Sequence, residues 1–238
     1  MFDPEGPTFF ELMRQALAST EHGYDLIAPK FDRTPFRTPD PVLAAMAKLI
    51  GEPGSIACAL DVCCGTGAAT RHLRPLCTER VVGIDFSEGM LDEARRRLAD
   101  APGDARVELI RGDALELPFE DEMDVVTSVG AFGHVLVRDE DRFVAGIARA
   151  LKPGGRFVFA TGRRPRPTDP WFWMAHGFNA VMRVRNALLR PPFIMYYLTF
   201  LWPEVAPLLE RHGFEVLAHD GLCPHPYERV VLVTARKR

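Results

Sequence analysis

Three apolar runs in the middle of the chain each reach an acid: Asp61 in IACALDVCC, Asp85 in RVVGID and Asp113 in ARVELIRGD. Asp61 opens the stretch DVCCGTG, which brings Gly65 and Gly67 close behind it. Carboxylates accept hydrogen bonds from hydroxyl and amino groups and attract cations. Glycines let a backbone approach a ligand closely. The adjacent Cys63 and Cys64 invite cysteine chemistry, but the pattern does not support it. The five cysteines, at 58, 63, 64, 77 and 223, are odd in number, irregularly spaced and contain no CxxC pair, so neither a zinc knuckle nor a dithiol redox site is expected. On a strand the two neighbours would point to opposite faces and could not share one metal. Packed thiols are the plain reading, and no metal site is expected.

The elements that must position these acids alternate. Residues 56–64 and 80–85 read as buried strands, with a helix over 67–77 between them. SEGMLDEARRRLAD reads as a helix with Ser87 as its N-cap. Strands follow over 105–113 and 123–132. RDEDRFVAGIARALK is an amphipathic helix expected to stop at Pro153-Gly154-Gly155, and GRFVFAT resumes as a strand. A helix over 203–214 and two strands joined without a crossover helix close the chain; those two strands should pair antiparallel. The βαβα order predicts a Rossmann-like, doubly wound α/β fold in three layers, mostly parallel with an antiparallel final strand. Residues 1–238 read as a single domain. Within it, 1–50 form an N-terminal helical cover (one or two helices around the loop YDLIAPKFDRTPFRTPDP), and 163–202 form a helical insertion after the fifth strand.

In such sheets ligands bind beyond the carboxyl ends of the strands, at the point where the strand order reverses. That rule gathers Asp61, the Gly65/Gly67 turn, Asp85 and Asp113 at one crevice. For a nucleoside ligand, Asp85 can accept from two ribose hydroxyls. Asp113 can accept from an adenine amino group while the Ala114 amide donates to the ring, and Phe86 and Met90 can cover the base. A dinucleotide site shares this geometry, but GTGAAT lacks the GxGxxG pattern. A carboxylate just before the turn would repel a pyrophosphate and attract a cationic amino group.

In order and spacing, residues 56–160 resemble the class I S-adenosylmethionine-dependent methyltransferases. LDVCCGTG resembles their first motif, VVGIDFSEGML the second, RGDALELPFEDEMDVV the third and RALKPGGRFVF the fourth. GFEVL at 213–217 resembles the closing helix-to-strand junction, and YDLIAPKFD at 24–32 a segment that folds over the cofactor. The resemblance implies S-adenosylmethionine as cofactor, with S-adenosylhomocysteine as product. By position it places Asp61 near the cofactor's amino group, Cys63, Gly65 and Gly67 along the turn, Asp85 on the ribose, Asp113 and Ala114 on adenine, and the Val129 carbonyl on the methionine part. Cys63 departs from the pattern, since the family has glycine there.

Methyl transfer needs a base only if the nucleophile must lose a proton. His134, just past the fourth strand, is the candidate. His176, Tyr196 and Tyr197 lie in the insertion, where packing is the plainer role. WFWMAHGF and FIMYYLTFLW make the insertion unusually apolar, which implies a small, hydrophobic acceptor methylated at oxygen or carbon; a homodimer contact is the alternative use. A formal charge of −3 and the lack of a basic face argue against nucleic acid. The N-terminal residues show no signal-peptide pattern, and no apolar run is long enough for stable membrane insertion, so a cytoplasmic location is expected. Two other functions fit the same fold: an NAD(P)-dependent oxidoreductase, and a non-catalytic binder of the cofactor.

Overall fold

The computed structural model describes residues 5–238, so the first four positions of the expected N-terminal cover lie outside it. The chain opens with helices α1 (Phe9–Leu17), α2 (Thr20–Ile27) and α3 (Asp40–Ile50), with a 3-10 turn at Ala28–Arg33 between the last two. Then come β1 (Ile56–Val62), α4 (Ala68–Leu73), β2 (Cys77–Asp85), α5 (Glu88–Leu98), β3 (Arg106–Arg111), β4 (Met123–Ser128), α6 (Glu140–Ala150) and β5 (Leu151–Thr161). The chain closes with α7 (Pro170–Leu188), α8 (Ala206–Arg211), β6 (Phe214–His219) and β7 (Val231–Lys237).

The strands form one sheet in the order β3-β2-β1-β4-β5-β7-β6. The first five are parallel, and β7 runs antiparallel to both β5 and β6. The fold is thus the doubly wound, three-layer arrangement with an antiparallel final strand. Alternation along the strands divides the core in two. Leu60, Val82, Val126, Phe157 and Phe159 face α6 and α8, while Ala59, Val81, Val125 and Val158 face α3 and α4. Phe143, Phe157, Phe159 and Phe214 are fully buried, each contributing about 1.5–3 kcal/mol by leaving water. The order reverses between β1 and β4, which opens the crevice beside Asp61.

Several boundaries differ from the sequence expectation for local reasons. Cys77 begins β2 instead of ending a helix, because a 3-10 turn at Arg74–Leu76 has already stopped α4. Pro153 and Gly154 do not end α6, which stops at Ala150; they lie in the first part of β5. There the register with β4 jumps from Met123↔Leu151 to Val125↔Arg156, and a bulge tolerates a proline that has no N–H to give. The expected loop over 24–41 is partly helical. Ser19 caps α2 by accepting from the His22 amide, and Pro29 suits the first turn of the segment that follows.

Candidate active site

A cavity lies at the carboxyl ends of β1, β2 and β4, lined by apolar side chains with a few polar groups among them, the usual make-up of a small-ligand site. Its floor holds Asp61, Cys63, Cys64, Gly65, Thr66, Asp85, Phe86, Met90 and Val129. Its other walls are Tyr24, Phe31, Phe36, Arg37, Thr38 and Leu43 from the N-terminal region, and Gly130, Ala131 and His134 after β4.

The floor is electrostatically unusual. Asp61 is 1% exposed, and its carboxylate accepts from the hydroxyls of Thr70 (2.7 Å) and Thr127 (3.2 Å). Asp85 is 6% exposed and accepts from the amides of Gly65 and Ser87, both at 2.9 Å. Every one of these donors is neutral. Burial pushes the Asp61 carboxyl up to about 6, and also raises Asp85 against the pull of its amide bonds. Two acids held only by dipoles face one cavity. A buried charge without a counter-charge is costly, and a cationic ligand would relieve it.

The turn after β1 is built to bring backbone to that ligand. Gly65 has φ +53°, and a Cβ added there would meet nothing within 4 Å. Gly67 serves a different end and does not line the cavity. It starts α4 at φ +80°, and a Cβ there would come within 2.9 Å of the Leu98 side chain, so its glycine is needed for helix packing. Cys63, where the resembling family has glycine, also takes a left-handed backbone, φ +59°, at a cost of about 1–2 kcal/mol for an L-residue. Burial, together with the nearby Asp85 and Asp61, pushes its thiol well above the ordinary range, and the same holds for Cys64. Neither sulfur is a nucleophile as it stands.

Phe86, Met90 and Val129 line the cavity as the sequence placed them; Asp113 and Ala114 do not. Asp113 is exposed and closes its own turn by accepting from the Leu115 amide at 2.9 Å. Its second carboxylate oxygen and the Ala114 amide have no partner among the described residues, leaving an acceptor and a donor on adjacent residues.

His134 is half-buried, and its Nδ1 lies 2.5 Å from the Ile194 carbonyl. A carbonyl only accepts, so Nδ1 carries the proton and Nε2 is the acceptor of the neutral ring. Tyr24 donates to it, with its hydroxyl 2.8 Å from Nε2. Burial lowers the His134 pKa below 6.5 and raises that of Tyr24. Sequence reasoning singled out His134 but missed Tyr24, although the YDLIAPKFD stretch that carries it was noticed.

The N-terminal region is clamped over the floor by side chains that sequence reasoning did not select. Asp25 accepts from the Ser87 hydroxyl (2.6 Å) and the Gly89 amide (3.0 Å), at the positive end of α5. Asp32 accepts from the Thr66 hydroxyl at 2.6 Å and pairs with Arg97. Arg111 bonds Glu21 at 2.6 Å. No residue of the 163–202 insertion lines the cavity. Its return strap supports those that do: Phe193 stacks on Tyr24 with ring centres 6.2 Å apart, Ile194 holds His134, and the Tyr196 amide bonds the Gly133 carbonyl at 2.8 Å. His176 is exposed, and Tyr197 packs against Trp171 and Phe178.

Known proteins resemble this chain in sequence and in fold. A family described as a methyltransferase domain matches residues 59–155. A demethylmenaquinone methyltransferase of Staphylococcus aureus is 41% identical over 169 residues, covering 66% of this chain and 67% of its own length. One of Staphylococcus saprophyticus is 43% identical over 117 residues, 48% of this chain, and the chain spans about half of that relative (47%). Among solved structures, an O-methyltransferase family protein of Burkholderia thailandensis superposes with a TM-score of 0.69 at 17% identity, over 96% of this chain and 67% of that one. A complex of DhpI with S-adenosylhomocysteine gives 0.65 at 23% identity, over 97% and 98%. At these identities the structural likeness concerns the fold.

Proposed function

The chain belongs to the class I S-adenosylmethionine-dependent methyltransferases, and we propose that it methylates a small, apolar acceptor at oxygen or carbon by in-line displacement. One observation carries the reading: Asp61 and Asp85 are buried in one cavity and held there only by neutral donors. A sulfonium nucleoside with an amino group completes such a site; a dinucleotide's pyrophosphate adds negative charge to it. The mostly apolar lining and the open space at Gly65 fit that cofactor as well.

In this reading Asp85 accepts from the ribose hydroxyls and Asp61 faces the amino group. Cys63 and Gly65 contribute backbone, Phe86 and Met90 cover the base, and the Val129 carbonyl meets the methionine part. Asp113 and Ala114 supply the spare acceptor and donor for the adenine edge. Gly67 acts through the packing of α4. Residues up to 50 serve as the cover, and 163–202 brace it on the acceptor side.

The bound cofactor supplies an electrophilic methyl group, and the protein supplies position and electrostatics. Tyr24 and His134 handle the acceptor's proton. A hydroxyl donating to Tyr24 Oη lets the tyrosine pass its own proton to His134 Nε2, and the Ile194 carbonyl steadies the imidazolium through Nδ1–H.

Relatives named for demethylmenaquinone favour a quinone-class acceptor, and the Tyr24–His134 pair favours its reduced, hydroxyl-bearing form. The test is methyl transfer from isotopically labelled S-adenosylmethionine to reduced quinones and, in parallel, to fractionated cell metabolites. Label in an apolar fraction is the expected result. Binding of the cofactor with no labelled product in any fraction would leave the non-catalytic binder as the better account.

A further inference from the structure

Helix α7 is apolar on two opposite sides. One side, with Ala175, Asn179 and Met182, is buried against the return strap, where Asn179 bonds the Tyr197 backbone in both directions. The other presents Trp173, Val181, Val184 and Leu188 at helical spacing, with Trp173 66% and Leu188 77% exposed. A helix that is apolar all round normally lies in a protein interior, yet here no element of the described chain covers the second face. Arg185 joins the end of this helix to α1 through the Ala16 and Ala18 carbonyls (2.9 and 2.8 Å). Helix α1 exposes its own stripe, Phe9, Met13 and Leu17, beside Phe10.

Charge identifies the occupant. The segment 163–202 holds six arginines and one acid, Asp169, in a chain whose formal charge is −3. Arg163 and Arg164 pair with Asp220 and Glu204. Arg166, Arg183 and Arg190, and Arg14 on α1, have no ion-pair partner among the described residues. An apolar stripe rimmed by free arginines, with a tryptophan at its edge, matches an anionic membrane surface. A second copy of the chain fits less well, because a two-fold contact would set these arginines against each other. No helix among the described residues is long and apolar enough to cross a membrane, so the contact is peripheral.

We propose that the outer faces of α7 and α1 dock this enzyme on anionic phospholipid bilayers, with the covered side of α7 against the strap that braces the active site. The inference rests on the apolar-acceptor reading for its purpose, since a lipid-dissolved acceptor would then meet the enzyme at the membrane. Its test is independent of that reading. The full chain is sedimented with vesicles of phosphatidylcholine alone or with phosphatidylglycerol, and S-adenosylhomocysteine binding is measured alongside.

Wild-type protein should partition onto the anionic vesicles and release as salt rises. Trp173→Glu with Val181→Glu should lower partitioning by more than about tenfold. Arg183→Gln with Arg190→Gln should lower it by roughly 30-fold, at about fivefold per arginine. All these side chains are exposed, so cofactor affinity should not change, and that readout separates docking from folding. Three results would overturn the proposal: no partitioning of wild type, equal partitioning of the variants, or a dimer in sedimentation velocity that the Trp173→Glu/Val181→Glu variant dissociates. If the wild type and variants behave as expected while no quinone is methylated, docking stands and the acceptor reading falls.

Discussion

The floor and the roof of the cavity are held together by different means. The floor is made by strand ends whose positions are set by sheet register and a buried apolar core, and its acids are fixed by backbone amides and buried hydroxyls. The roof is made by residues 24–43, braced from behind by the insertion and tied on by separate side-chain contacts such as Asp25–Ser87, Asp32–Thr66 and Tyr24–His134. A backbone-held floor gives a fixed binding site for one cofactor. A roof attached by a few hydrogen bonds, each with a net worth of about 0.5–1.5 kcal/mol, can open to admit ligand. The division predicts that floor changes act on cofactor affinity and roof changes on turnover.

The largest effect belongs to the floor. If Asp85 holds the ribose as proposed, Asp85→Ala would remove two charge-assisted bonds, each worth about 1.5–3 kcal/mol, so calorimetry should show S-adenosylhomocysteine affinity falling by about 100-fold or more. Unchanged affinity would overturn the ribose assignment. In the roof, Tyr24→Phe should reduce kcat by about 100-fold while S-adenosylhomocysteine affinity stays within about threefold; equal losses in both would erase the distinction between the regions. The wild-type kcat profile should also fall on the acid side, below 6.5. Protonated His134 cannot accept from Tyr24, and burial holds its pKa under the ordinary value. The sign for stability agrees: an unfolded chain binds that proton first, so the contribution of neutral His134 is present above 6.5 and is lost as pH falls through the lowered pKa.

Asp61 separates binding from stability. A cationic amino group favours the ionised acid, so affinity should fall as pH drops below about 6, by about tenfold per pH unit at most. The free protein should respond in the opposite sense. Its raised carboxyl favours the folded state below 3.8, and that contribution is lost as pH rises through about 6. Asp61→Asn should therefore raise the melting temperature at pH 7, by up to about 3 kcal/mol in stability, while weakening the cofactor. The smallest effect is that of Cys63→Gly. Relief of a left-handed cysteine and the added freedom of the unfolded chain nearly cancel, leaving stability within about 1 kcal/mol, and cofactor affinity should hold.

The floor was legible in the sequence because its signals are local. An apolar run ending in an acid, a glycine turn and a capped helix fix strand, turn and helix within a dozen residues, and Asp61, Gly65, Asp85 and Met90 fall where that grammar puts them. Gly67 was found for the wrong reason: its neighbour is Leu98, some thirty positions on, and only packing reveals it. The roof was less legible because its bonds are long-range. Tyr24 meets His134 across 110 residues and Asp32 meets Thr66 across 34, and neither partner has a pattern of its own. The apolar insertion was noticed, but composition alone could not show that its aromatics brace the cavity from behind and that one face of α7 is left uncovered.

The two uncompensated acids of the floor should form a site for a sulfonium nucleoside and not for a dinucleotide. Titration calorimetry of the wild-type chain with S-adenosylmethionine and with NAD, under the same conditions at pH 7.5, tests it most directly. The account expects saturable binding of S-adenosylmethionine and none of NAD. Binding of NAD with no response to S-adenosylmethionine would contradict it.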